Sequence, residues 1–193
     1  MLDANGVKSP LAAKLAGDVV LLDVGAYTAN VFRLHNAAFN QADLPQSSIA
    51  NGGGNTHIRL PLLEWVKGAG GDLTAVTLDD IDRVLRLASA SGDYVLQFGA
   101  ASIDLKTMLE HLSKQYADWL ANNALDTRFD GLKDIQGLLV VGGNASYIMP
   151  HLQGWYGKVI DYTGLREFSG LHPADLNAAG GLRLALARLN AKK

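Results

Sequence analysis

The segment VVLLDVGAYTANVFRL, Val19 to Leu34, constrains this chain more than any other. Four consecutive apolar residues, Val19 to Leu22, have no polar face, so they read as a strand buried on both sides. That strand ends on a carboxylate, Asp23, and Gly25 and Thr28 follow at once. Residues 29–35 become apolar again and read as a partner strand, joined by a turn of about four residues. A carboxylate at the C-terminal end of a buried strand stands where α/β folds place ligands. A glycine beside it lets backbone approach an anion. Successive turn amides around Gly25 to Thr28 make a nest suited to phosphate. In that reading Asp23 holds a hydrated magnesium ion and Thr28 offers a hydroxyl. The plainer reading is a hairpin whose turn simply favours Asp and Gly.

The rest of the pattern places this hairpin in an α/β chain with a mixed sheet. Ser9-Pro10 reads as the start of a short helix over 10–16. A third strand is expected near 43–50, then a helix over 55–66 capped by Asn55 or Thr56. Thr77 and Asp80 have capping-box spacing for a helix over 78–89. Residues 93–98 read as a strand. The clearest helix covers 103–124, where Leu105, Met108, Leu109, Leu112, Tyr116, Trp119 and Leu120 fall on one face. The run GLLVVGG, 137–143, is a second buried strand that ends on two glycines. A helix over 145–153, a strand over 157–162 and a last helix from Pro173 to about Leu189 complete the pattern.

Glycine clusters mark further candidates. Gly142, Gly143 and Asn144 close the second buried strand, where a flat ligand can lie on bare backbone near a helix N-terminus. The alternative is an ordinary strand-to-helix turn with Asn144 as its cap. The run NGGGNT, 51–56, reads more readily as a flexible loop than as a ligand wrap, and no Gly-Lys-Ser/Thr follows to make it a P-loop. Asp79, Asp80 and Asp82 read as a solvated first helical turn. The five histidines are not at metal-ligand spacing from one another, so no metal cluster is expected. A net charge of -2 argues against a general nucleic-acid surface. No apolar run approaches the roughly 18 residues that span a bilayer, and no signal-peptide core is evident, so a cytoplasmic location is expected. The absence of cysteine excludes disulfides and thiolate metal sites.

The order of the pieces, DVGAYT with a following strand, a glycine-rich turn into a helix, a long helix, VVGGN and the C-terminal LNAAGG, resembles the second half of actin-fold ATPases. It is most similar to plasmid-segregation actins of the ParM/StbA type, over about residues 18–190. The resemblance implies a ribonuclease H-like domain whose five-stranded mixed sheet is flanked by helices. Residues 18–54 and 136–193 would form that core, 55–135 a smaller, mostly helical inserted lobe, and 1–17 a lead-in or inter-half helix. It implies ATP or GTP with magnesium as cofactor. Asp23, Gly25, Ala26, Tyr27 and Thr28 would then lie at the phosphates and magnesium, and Gly142, Gly143 and Asn144 near the adenosine.

The function implied is the nucleotide-binding half of an actin-like filament protein in plasmid segregation or a cytoskeleton. The implied partners are a missing first half or like subunits in a filament, and a DNA-adaptor protein, with neither direct nucleic-acid contact nor a membrane. ATP hydrolysis is expected only when a first half supplies the other phosphate loop. The alternative is an actin-fold interaction module that no longer binds nucleotide. It is motivated by Ala26 and Tyr27 in a turn where the family has small residues, and by Asn30 where an aspartate often stands. A sugar or acetate kinase-like half is the third reading.

Overall fold

The computed structural model describes residues 15–36, 38–39, 47–50, 52–128 and 134–160. Strands β1 (Asp18–Val24), β2 (Thr28–His35), β3 (Ala38–Phe39) and β4 (Ser48–Ala50) come first. A widened helical turn over Asn55–Arg59 leads into helix α1 (Leu60–Gly68). Helix α2 (Leu78–Ser91), strands β5 (Val95–Phe98) and β6 (Ala101–Asp104), and helix α3 (Lys106–Leu120) follow. Strand β7 (Gly137–Val141) and helix α4 (Ala145–Tyr156) complete the described part.

The sheet is mixed. β1 pairs antiparallel with β2, Val24 facing Ala29, and parallel with β7, Asp23 level with Val141. β3 and β4 pair with opposite ends of β2. On the far side of β7, Leu138 N donates to Lys158 O at 2.9 Å and Ile160 N donates to Leu138 O at 2.8 Å. Strands enclosed on both edges and both faces must be apolar throughout. Accordingly all of β7 is buried, as are Val19, Val20, Leu22 and Val24 of β1. One continuous core runs from these strands to Ile58, Leu62, Ile81, Leu96, Leu109, Tyr116 and Leu120.

Several expected elements appear in shifted form. The helix expected over 103–124 starts at Lys106, because residues 101–104 instead pair with β5. Asp104 Oδ1 then accepts from Lys106 N at 2.9 Å and turns the chain into α3. Neither Asn55 nor Thr56 caps the next helix. Gly54 occupies the cap position without a side-chain bond, and Asn55 Oδ1 accepts from Arg59 Nη1 at 3.1 Å. The Thr77–Asp80 capping box is present, with Thr77 N donating to Asp80 Oδ2 at 3.0 Å. Asp82 is more than a solvated carboxylate, since it pairs with the half-buried Arg59. The C-terminal helix from Pro173, residues 10–14 of the helix expected over 10–16 and the beginning of the third strand lie outside the described residues, and Leu15 and Ala16 are not helical.

The open end of the β1–β2 hairpin is tied by charge. Arg33 Nη2 donates to Asp18 Oδ2 at 3.0 Å, and His35 Nδ1 lies 2.9 Å from Asp18 Oδ1. The hydrogen bond from His35, and after it that from Arg33, hold the Asp18 carboxyl below the usual carboxylate range. A folded-state pKa below the unfolded value gives stability that is present above about pH 4 and lost as pH falls through the lower folded value. Asp18→Asn should therefore lower Tm near neutral pH and narrow its gap to the wild type as pH drops below about 4. A gap that stays constant on acidification would contradict this.

Candidate functional site

The turn after β1 is built from behind. Gly25 N donates to Thr28 O at 3.0 Å, which closes the hairpin around Ala26 and Tyr27. Three carbonyls in succession are then held by donors from distant parts of the chain. Val24 O accepts from Asn144 N at 3.2 Å. Gly25 O accepts from Gly54 N at 2.9 Å and from Asn144 Nδ2 at 2.9 Å. Ala26 O accepts from Asn55 N at 2.8 Å.

These bonds fix the direction of the amides. In a trans peptide the C=O and the next N–H point opposite ways. Gly25 C=O and Ala26 N–H belong to one peptide, and Ala26 C=O and Tyr27 N–H to the next. With both carbonyls drawn toward Gly54, Asn55 and Asn144, the amides of Ala26 and Tyr27 are turned away from that support. Two neighbouring amides aimed the same way form an anion-binding concavity.

Two glycines permit this packing. A Cβ on Gly53 would lie 2.3 Å from Tyr27 C, 2.4 Å from Ala26 O and 2.5 Å from Thr28 N. Only a bare Cα can lie against the turn so closely. Gly142 has φ +96°, and a Cβ there would meet Asp23 Oδ1 and Val24 O at 2.6 Å. The position therefore needs glycine both for its backbone conformation and for the space that Asp23 occupies.

Asp23 is the penultimate residue of β1, half-buried and level with Val141 and Asn30. Its carboxylate is a hard oxygen donor beside the turn. Magnesium keeps several waters and takes one or two carboxylates plus phosphate oxygens. Among the described residues, Asp23 is the one carboxylate that the turn and the Gly142 backbone bring together here, and a hydrated magnesium ion can be held through a single carboxylate. Asn144 is almost wholly buried. Its Nδ2 serves the turn, while its Oδ1 has no hydrogen-bond partner among the described residues. Tyr27 is the most exposed large side chain here, at 78%.

Among solved structures the chain is similar to the actin-like protein Alp7A, at 18% identity and a TM-score of 0.70 over 99% of this chain and 50% of that one. The chain has a partial, half-size actin-like fold. A non-polymerisable quadruple mutant of pCBH ParM matches at 18% identity and a TM-score of 0.65, over 96% of this chain and 52% of that one. Bacillus thuringiensis ParM with ATP matches at 15% identity and a TM-score of 0.62, over 92% and 48%. The chain thus spans about half the length of the solved proteins it matches. No protein-family model and no curated protein matches it.

In this half of the actin-like fold, the two loops singled out in the sequence do meet. Gly142 lies against Asp23, and Asn144 bonds to the carbonyls of Val24 and Gly25. Thr28 opens β2 opposite Ala50, and Gly143 lies half-buried between Gly142 and Asn144. Residues 52–55 of the run NGGGNT are packed against the turn rather than forming the loose loop expected. Gly52, Gly53 and Gly54 are buried, and together with Asn55 they support the turn. Sequence reasoning missed this role, as it missed the support from Tyr116, whose hydroxyl donates to Gly52 O. The available signal was three glycines in a row between a strand and a helix, a pattern that also fits a loose linker.

Proposed function

We propose that this chain is the nucleotide-binding half of an actin-like filament protein of the segregation type. Asp23, Gly25, Ala26, Tyr27 and Thr28 take the phosphates and magnesium. Gly142, Gly143 and Asn144 lie toward the nucleoside. The observation that carries the reading is the pair of Ala26 and Tyr27 amides turned outward by bonds to the carbonyls behind them. The likeness to ParM solved with ATP, and to a ParM filament from Clostridium botulinum, supports it. The ribonuclease H-like sheet, the inserted lobe over 55–135 and assembly with like subunits or a first half belong to the same proposal. So does a DNA-adaptor partner. When bound, magnesium would shield the phosphate charge. The chain's own residues would bind and orient the phosphates, and hydrolysis would await the second side of the clamp.

The test is calorimetric titration of this chain with magnesium ATP. Saturable binding is expected, and Asp23→Ala should weaken it by about tenfold, the loss of one charge-assisted contact of about 1.4 kcal/mol or more. Omitting magnesium should weaken the wild type and leave the variant little changed. A second reading, an interaction module without nucleotide, is favoured by the exposed Tyr27 ring at the tip of the turn. Absence of saturable heat at millimolar nucleotide would select that module.

A further inference from the structure

The glycine loop behind the turn is itself held by one side chain. Tyr116, on the buried face of α3, is 1% exposed and donates its hydroxyl to the carbonyl of Gly52. Its ring stacks on His57 at 4.7 Å between centroids and 6° between planes, and Trp119 lies 4.3 Å from His57 on another side. The phenol is therefore fixed by ring packing as well as by its hydrogen bond. Gly52 is followed directly by Gly53, whose Cα lies against the turn, and by Gly54 and Asn55, whose amides hold the Gly25 and Ala26 carbonyls.

A run of three glycines has the widest choice of backbone conformations of any sequence. Left to itself it would not hold two amides in register with two carbonyls. Two anchors remove that freedom. Gly52 N donates to Ile49 O at 3.2 Å, and Gly52 O accepts from Tyr116. The first is local and follows from the end of β4. The second reaches across 64 positions of sequence and sets the plane of the peptide between Gly52 and Gly53.

We propose that Tyr116 is a positioning residue for the oxyanion-binding turn, setting the glycine loop so that the Ala26 and Tyr27 amides face a ligand. The inference rests on the reading of that turn as a phosphate site. It extends that reading to a residue far from the ligand. The chain of contacts also predicts a response to binding. An oxyanion on the Ala26 and Tyr27 amides polarises the two peptides and makes their carbonyls stronger acceptors. The Gly54 and Asn55 amides should then be held more tightly, with the strain carried to Tyr116. Burial raises the Tyr116 ionisation well above its ordinary value, so the hydroxyl stays a donor throughout the neutral range.

The test compares Tyr116→Phe with Tyr147→Phe. Tyr147 is a half-buried phenol, donating to Leu85 O at 3.3 Å, with no bond to Gly52, Gly53 or Gly54. Both substitutions remove one hydroxyl bond to a backbone carbonyl and should lower Tm, Tyr147→Phe by the smaller amount. Only Tyr116→Phe should weaken magnesium ATP binding, by about tenfold, and speed hydrogen exchange at the Gly54 and Asn55 amides without ligand. Wild-type binding matched within twofold by Tyr116→Phe would overturn the inference and leave the phosphate reading intact. Equal weakening by Tyr147→Phe would also overturn it, as a general effect of lost stability. No binding by the wild type would overturn both.

Discussion

A Gly53→Ala variant is expected to lose a large share of its stability and, with it, the nucleotide binding proposed above. The added methyl would lie within 2.5 Å of three backbone atoms of the Ala26–Thr28 turn. None of these is the end of a flexible side chain, so relief requires moving the turn or the loop. Either movement pulls Gly54 N from Gly25 O and Asn55 N from Ala26 O. Overpacking of this kind costs about 1–3 kcal/mol, and the loss of two buried hydrogen bonds adds about 1–3 kcal/mol. Gly68→Ala serves as the control, because a Cβ there meets nothing within 4 Å and the position ends a helix. Urea melts of the two variants should differ by several kcal/mol, with Gly68→Ala close to the wild type. Equal midpoints would show that the loop is not packed against the turn.

Leu138→Ala should destabilise the whole protein rather than the site. Leu138 is fully buried in β7, level with Val20 of β1 on one side and bridged to Val159 on the other. With backbone on both edges fixed, the lining of the cavity cannot collapse. Truncating a leucine at such a place costs about 2–5 kcal/mol. A domain of marginal stability, about 5–15 kcal/mol, would lose a large part of it. The expected signature is a lower urea midpoint with an unchanged slope. Any ligand affinity measured well below the transition should be intact. A loss under about 1 kcal/mol would mean that the neighbouring strands close the gap.

Sequence made some of this architecture plain and hid the rest for physical reasons. Val19–Leu22 and Leu138–Val141 announced central strands because a strand enclosed on all sides has no room for polar side chains. Thr77 and Asp80 announced a helix start because the capping box is satisfied within four residues. β6 escaped notice since Ala101–Asp104 is short and alternates half-buried with exposed positions. Its end also runs into the helical spacing that begins at Leu105. Asp82 looked solvated because its partner, Arg59, is 23 positions away. The Gly52–Gly54 run looked flexible for a related reason. A glycine shows what it lacks, and whether the missing side chain makes room for solvent or for another backbone depends on what lies opposite. Here that is the turn at Ala26–Tyr27. Asp23, the Gly52–Gly54 run and the Gly142–Gly143 pair were legible as parts, while the bonds that unite them connect residues too far apart for any local pattern to register.

The Asn144–Gly25 bond spans 119 positions. The β1–β2 hairpin needs only its own residues to form, and loops of its size close early in folding. The direction of its turn amides, by contrast, is set by donors outside the hairpin, Gly54 and Asn55 ahead of α1 and Asn144 beyond β7. Closing so long a loop carries an entropic cost that contacts within the hairpin cannot offset. A free peptide of residues 18–35 would therefore hold every residue of the D-x-G-x-x-T motif and still lack the site. The geometry of the turn is therefore a property of the assembled fold, drawn from Gly54, Asn55 and Asn144 as much as from the motif itself.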